Sequence, residues 1–322
     1  MKKFFLSLAV FVMALCANAQ TNQYFWYNGN LMMGNPIAQI DSVTFGEGEL
    51  ADTLHILLPR TIIKEVHDTV YITIRDTICP NDIPEGALNG LFSVSADKKV
   101  RFSKGNLQYQ ASTDTWRFAE NQYDYIGEEN ENISSTYDGW IDIFGWGTGN
   151  NPTNSSTNTS EYRQFNDWGG NLPSIGEKTW YTPTYLEWGY LFEGRENANN
   201  LYGAACIDGI NGVVILPDNW VDIEGITFNS GMSSSNSYVS VNNYTLLQWK
   251  ALEENGAVFL PAAGYRYGKS YGSDGNGGSG TYWSSSITSN GAYNCDFHCN
   301  YMHPQQSGAV YFAQTVRLVI AE

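Results

Sequence analysis

The chain has 322 residues, with 17 Lys+Arg against 33 Asp+Glu and a formal net charge of −16. Such a balance repels polyphosphate and anionic lipid, which excludes nucleic acid and anionic membrane surfaces as partners. Tyr, Trp and Gly are abundant and only 16% of residues are charged, a composition that fits an extracellular β-rich or loop-rich protein with few, short helices.

Residues 1–19 have the form of a secretory signal peptide. Lys2 and Lys3 precede an apolar run from Phe4 to Cys16, and the small-residue pattern Ala17-Asn18-Ala19 stands before Gln20. The mature chain is therefore expected to be secreted or held at the cell surface. Lipid attachment at Cys16 is the weaker alternative, because Leu15 occupies the place of the usual small residue. No later apolar run has the length of a transmembrane helix. Cys79, Cys206, Cys295 and Cys299 remain after cleavage, an even set that an oxidising compartment permits to pair. If 293–299 is a strand, Cys295 and Cys299 stand ~13 Å apart, beyond the ~7 Å that a bridge tolerates between Cα atoms.

Residues 20–85 read as a β-rich stalk or assembly segment. Ile40–Gly46 predicts a short strand before a turn. Thr61 to Ile78 is rich in Ile, Val and Thr, and Val70, Ile72 and Ile74 alternate with Tyr71, Thr73 and Arg75. The plain reading is a hairpin or extended stalk; the alternative is self-assembly, since an unpaired edge accepts another strand. Cys79-Pro80-Asn81-Asp82-Ile83-Pro84-Glu85-Gly86 is a linker signature. Residues 86–322 are long enough for one well-buried domain.

Within it, Leu91–Ser95 and Val100–Ser103 predict an opening hairpin, and Asn106–Tyr109 and Trp116–Ala119 predict further strands. Residues 145–171 read as a long Gly/Asn/Ser loop. Thr182–Phe192 predicts a helix with Thr182 as cap and Pro183 at its first position. Asn243–Asn255 predicts a second, with Leu246, Leu247, Trp249, Ala251 and Leu252 on its buried side. Phe259–Arg266 predicts a strand, and 268–280 a loop.

Near the C-terminus, the regular segments Gly280–Ser286 and Thr315–Ile320 bracket a stretch of irregular composition, Tyr293 to Phe312. As a strand, it places Tyr293, Cys295, Phe297 and Cys299 on one face and Asn294, Asp296, His298 and Asn300 on the other. One face packs and the other is presented. The cysteines then serve as small buried hydrophobes. A zinc site from Cys295, His298, Cys299 and His303 is the sharp alternative, opposed by a strand geometry that turns His298 away from the thiols. No metal and no cofactor is therefore expected. Acidic loops such as Asp138–Asp142 leave room for a structural calcium. None of His55, His67, His298 and His303 stands beside an evident nucleophile, so no catalytic residue and no enzymatic activity are expected. Trp188 and Trp283 read as core.

The ordered segments "TPTYLEWGYLF" (182–192), "GVVILPDNW" (212–220), "FLPAAGYR" (259–266), "GTYWSSS" (280–286) and "VRLV" (316–319) resemble the Fibrobacter succinogenes major paralogous domain of the C-type-lectin-fold superfamily. "LFSVSADKKVRFSKGNLQY" (91–109) and "WIDIFGWGTG" (140–149) look like the form found in exported surface proteins of gut Bacteroidetes. The resemblance implies an α+β, C-type-lectin-like fold with few short helices and long loops over 86–322. The calcium-lectin motifs Glu-Pro-Asn and Gln-Pro-Asp are absent, and Asn166-Asp167-Trp168 and Asp218-Asn219-Trp220 have the wrong order for their Trp-Asn-Asp companion. The formylglycine-generating relatives use a cysteine pair with metal, and no cysteine here has a matching context.

The irregular stretch also resembles the variable region of diversity-generating retroelement targets. There, error-prone copying of an adenine-rich template converts Asn codons to Tyr, His, Asp, Ser, Gly, Ala or Phe. Asp296, His298, Tyr301, His303, Ser307, Gly308, Ala309, Tyr311 and Phe312 belong to that set, and Asn294 and Asn300 match unchanged positions. The resemblance implies an adhesin-like surface protein whose 294–312 face binds a protein or glycan ligand. The alternatives are a fimbrial or structural subunit and a glycan-binding module of a polysaccharide uptake system, which would suit exposed Trp and Tyr.

Overall fold

The computed structural model describes residues 22–27, 30–36, 61–66, 69–74, 83–174, 178–273 and 278–322. The expected signal peptide, the Ile40–Gly46 strand and Cys79 lie outside the described residues. The chain divides between Pro84 and Glu85. In the first unit, β1 (Asn22–Tyr27) pairs antiparallel with β2 (Asn30–Pro36), and β3 (Thr61–Val66) pairs antiparallel with β4 (Thr69–Ile74). The second hairpin occupies the part of the Ile/Val/Thr-rich stretch where alternation is cleanest.

The second unit is mixed α+β, mostly strand, with short helices. In chain order its first strands are β5 (Phe92–Ser93), β6 (Lys99–Phe102), β7 (Leu107–Gln110), β8 (Thr115–Phe118), β9 (Trp140–Ile141) and β10 (Ile143–Phe144). After helix α1 (Tyr185–Gly189) come β11 (Tyr202–Ile207), β12 (Ile210–Ile215) and β13 (Asn243–Tyr244), then helix α2 (Leu246–Glu254) and β14 (Val258–Pro261). The last strands are β15 (Tyr265–Tyr267), β16 (Ser270–Gly272), β17 (Gly280–Ile287), β18 (Ala292–His298), β19 (Tyr301–Gly308), β20 (Phe312–Thr315) and β21 (Val319–Ala321).

The largest sheet has the order β16-β15-β20-β17-β18-β19, with β10 also on β20. A second sheet is β13-β11-β12-β14, and two smaller ones are β21-β6-β5 and β8-β7-β9. The last strand closes on the first hairpin, Val319 opposite Phe102, and Arg101 holds Glu322 through Nε to Oε2 at 2.9 Å and Nη2 to Oε1 at 3.1 Å. No helix among the described residues is long and apolar enough to cross a membrane.

Tryptophans lock the frame around β17. Trp283 Nε1 donates to Phe144 O at 2.7 Å, Trp146 Nε1 to Ser284 O at 2.9 Å, and Trp188 Nε1 to Trp283 O at 3.3 Å. Each of these three buried indoles is thereby satisfied by backbone it packs upon. Arg317 is fully buried, and its side chain is held by neutral amides. Its Nη2 donates to Gln122 Oε1 at 2.7 Å and its Nη1 to Asn106 Oδ1 at 3.4 Å, and burial lowers its pKa to about 10.

Several expected boundaries move. The cap of α1 is Thr184, because Glu187 then sits at the third helical position and completes a reciprocal capping box. Thr182 has Tyr185 at that spacing and instead donates to Asp167 Oδ1 at 2.9 Å. After α1 the chain continues as a π-helical turn, Tyr190–Gly194. Helix α2 starts after Thr245, capped with Gln248 in the same way. It buries Trp249 and Leu252 but leaves Leu247 81% exposed, since Leu247 lies ~160° around the helix from Trp249. The predicted Phe259–Arg266 strand breaks at Gly264, whose φ of +73° suits glycine and whose Cβ position is filled by Gly272 O.

Candidate functional site

The hairpin β18–β19 carries the site. Its register sets Phe297 opposite Met302, His298 opposite Tyr301 and Asp296 opposite His303. From 295 to 303 the two faces are chemically distinct. Cys295, Phe297 and Cys299 are fully buried, and Met302 packs inward with its Sδ 3.7 Å from Cys295 Sγ. Asp296, His298 and Tyr301 are half-buried on the outer face and His303 is exposed. Tyr301 and His303 stack at 4.7 Å, and His298 stacks on Tyr301 at 6.0 Å. Asn300 is exposed in the turn.

Asn294 is a correction. It is 4% exposed and no part of a presented face. The register steps from Asn294–Gln306 to Asp296–His303, so Pro304 and Gln305 oppose the single residue Cys295. This is a β-bulge at a proline that has no N–H for the ladder. The alternation inferred from Tyr293 onward is broken there: Asn294 and Cys295 are both buried, while Tyr293 is half-buried and stacks on Tyr185 at 4.3 Å.

The remaining predicted residues do not join the Asp296–His303 group. Ser307, exposed, with Gly308 and Ala309, half-buried, lies towards the far end of β19, ~20 Å along the strand from Tyr301. Tyr311 and Phe312 belong to a second aromatic group. Phe312 packs with Tyr267 at 5.2 Å and Tyr265 at 5.9 Å, and Tyr311 with Tyr267 at 5.8 Å. In the sheet order, β17 separates this group from β18–β19. One contiguous patch is therefore replaced by separate surfaces.

Sequence reasoning missed Tyr238, whose ring lies 6.1 Å from His298, and Tyr267, which is 48% exposed. The alternation of Tyr265 and Tyr267 about buried Arg266 was a readable signal. Nothing local pointed to Tyr238.

The expectation that His298 turns away from both thiols fails at Cys299. Cys299 follows the last residue of β18 and sits in the turn, where its Sγ lies 3.1 Å from His298 Nδ1. No group of three His, Cys, Asp or Glu capable of holding a metal exists among the described residues. Cys206, Cys295 and Cys299 are free and buried, and burial raises each thiol pKa, the condition of an inert packing thiol.

The acidic motifs have structural roles. Asp142 is fully buried and accepts from Ile126 N and Asn130 Nδ2, both at 2.9 Å, while Asn130 Oδ1 accepts from Asp142 N at 3.0 Å. Asp167 caps the turn at Trp168 and binds Thr182, and Asp218 binds Ser93, Lys99 and Arg195. An open cavity of about 490 Å³ elsewhere on the unit is lined by Arg117, Glu120, Tyr123, Asp124 and Asp208, among others. Arg117 there lies 3.7 Å over the Trp140 ring.

No family model, curated protein or solved structure matches the chain.

Proposed function

We propose that this is an exported, non-catalytic ligand-binding protein of a bacterial surface. Residues 85–322 adopt a C-type-lectin-like fold and the outer face of β18–β19 is the recognition surface. The observation that carries the reading is the division of labour within one hairpin. Phe297, Cys299 and Met302 pack inward while Asp296, His298, Tyr301 and His303 face out. These outer-face side chains are half-buried or exposed, and stacked Tyr and His supply rigid amphipathic area at low entropic cost. The wide range of residue types drawn from the Asn-codon set supports a diversified adhesin. The buried, high-pKa thiols support packing over nucleophilic chemistry.

The test is an array of surface glycans and bacterial and host surface proteins, probed with the full chain and with a variant carrying Asp296→Ala, His298→Ala, Tyr301→Ala and His303→Ala. Retention of a ligand by the parent and its loss by the folded variant supports the reading. A ligand held equally by both removes the recognition face from β18–β19. The glycan-uptake alternative draws on the second aromatic group, where Tyr267 is 48% exposed beside Phe312. A Tyr267→Ala variant that alone loses a glycan would favour it.

A further inference from the structure

Arg117 stands on β8 directly opposite Gln108 on β7, and two contacts fix its side chain. Nε donates to Oε1 of buried Gln108 at 2.8 Å, and the guanidinium carbon lies 3.7 Å over the Trp140 ring. With Nε engaged and one face of the plane on the indole, the Nη hydrogens remain as donors, in a fork that matches the two oxygens of a carboxylate. Arg117 is exposed and lines the open cavity of about 490 Å³, a size within the ~300–1,000 Å³ of small-molecule sites. The wall of that cavity comes from residues between 108 and 126 and between 208 and 210, away from β18–β19.

The same cavity carries the opposite charge in excess. Glu120, Asp124 and Asp208 line it with Arg117, and the ion pairs of the described residues include none of these four. Asp124 is held in place through Oδ2, which accepts from Asn121 N at 2.9 Å and Nδ2 at 3.0 Å. Asp208, at φ +48°, precedes Gly209, at φ +88°, in the two-residue turn between β11 and β12, which sets its position. Tyr123 and Tyr125 add ring faces that attract a cation. Burial, and then the charges of Asp124, Glu253, Asp208 and Glu120, raise the Tyr123 phenol pKa, so these carboxylates converge on that ring. Among the described residues no three such groups close around a metal, and an extended organic cation suits the arrangement. Ile126 and Ile210 supply apolar wall for its hydrocarbon stem.

We propose that this cavity is a second binding site, for a free basic amino acid, lysine or arginine, with the carboxylate on the Arg117 fork and the cationic groups among Glu120, Asp124 and Asp208. Opposite charges held apart across one cavity are both satisfied by a ligand that carries both signs. The excess of carboxylate over guanidinium selects a ligand with two cationic groups, the α-ammonium and the side-chain cation.

The experiment is calorimetric titration of the full chain with L-lysine, with cadaverine, which lacks the carboxylate, and with norleucine, which lacks the side-chain ammonium. Lysine is expected to bind saturably and norleucine ~10-fold or more weakly, the weight of one charge-assisted contact. Arg117→Gln should weaken lysine by a similar factor and leave cadaverine unweakened, while Asp208→Asn, which keeps a residue tolerant of positive φ, should weaken both. Lysine that binds no tighter than norleucine overturns the proposal, as does an affinity for lysine that is equal in the parent and Arg117→Gln. If the Arg117→Gln variant does not fold, the comparison of lysine with norleucine on the parent chain decides alone. No residue of 294–312 enters this measurement, so its failure leaves the recognition face standing, and failure of that face leaves this site standing.

Discussion

Tyr301 and His303 stack at 4.7 Å with their planes 21° apart on the outside of β19, while Met302 between them turns into the core against Cys295. Three consecutive side chains thus divide between two tasks.

Stability should follow that division. His298→Ala, Tyr301→Ala and His303→Ala, made singly, are expected to cost about 1 kcal/mol, the worth of one aromatic contact at a half-buried or exposed position. Phe297→Ala removes a fully buried ring and should cost ~3–5 kcal/mol. Chemical denaturation of each variant checks this. An outer residue as costly as Phe297 would make the outer face ordinary core.

Gly280 faces the Phe297 ring so closely that a Cβ would overlap it. Gly280→Ala should therefore lose ~1–3 kcal/mol by overpacking. Its partner test is Gly280→Ala with Phe297→Leu, which frees the space and should recover part of the loss. Equal costs for the single and double changes would mean that the ring is not what excludes the methyl.

Asp142 predicts a pH dependence. Burial raises its carboxyl pKa from 3.8 to about 6, against hydrogen bonds from Asn130 and Ile126 that lower it. Below about pH 4 the group is protonated in both folded and unfolded chains; above that the unfolded chain releases its proton first. The folded form then holds the extra proton, so this residue's contribution falls as pH rises from about 4 to 6, by about 3 kcal/mol in all. Asp142→Asn should remove that slope from a plot of denaturation midpoint against pH. Parallel curves for parent and variant would show that the carboxyl titrates normally.

The second unit should fold by itself. Its last strand closes on its first hairpin, and Arg101 ties Glu322 back to it. A chain of residues 85–322 is expected to melt in one cooperative transition. A broad, non-cooperative melt would mean that residues before 85 complete its core.

What was legible in the sequence was local. The alternation of Cys295, Phe297 and Cys299 against Asp296 and His298 is a property of consecutive residues, and the structure keeps it. The burial of Trp188 and Trp283 followed from their setting among other apolar residues. The burial of Asn294 was not legible, because it depends on a bulge created by Pro304 on the partner strand. The cap of α1 was misassigned where two threonines flank a proline, and only the reach of Glu187 back to Thr184 decides between them. The meeting of Tyr267 with Phe312 joins strands far apart in sequence, and no local pattern announces such a pairing.

If the 293–312 stretch is diversified, its codons should vary by face. Long-read sequencing of the gene from many cells of one source population is expected to find substitutions at the codons of Asp296, His298, Asn300, Tyr301 and His303. Those of Cys295, Phe297 and Cys299 should stay fixed. Substitutions spread evenly over the gene would remove the resemblance to a variable region.

The central claim, that the outer face of β18–β19 binds and does not build the fold, meets its most direct test in one paired measurement. The variant carrying Asp296→Ala, His298→Ala, Tyr301→Ala and His303→Ala is titrated against the first ligand retained on the array and melted alongside the parent. The account predicts a Kd weakened at least ~100-fold, the loss of about 3 kcal/mol of binding energy, with a cooperative melt retained within a few degrees of the parent. An unchanged Kd, or a melting temperature lowered as far as by Phe297→Ala, would contradict it.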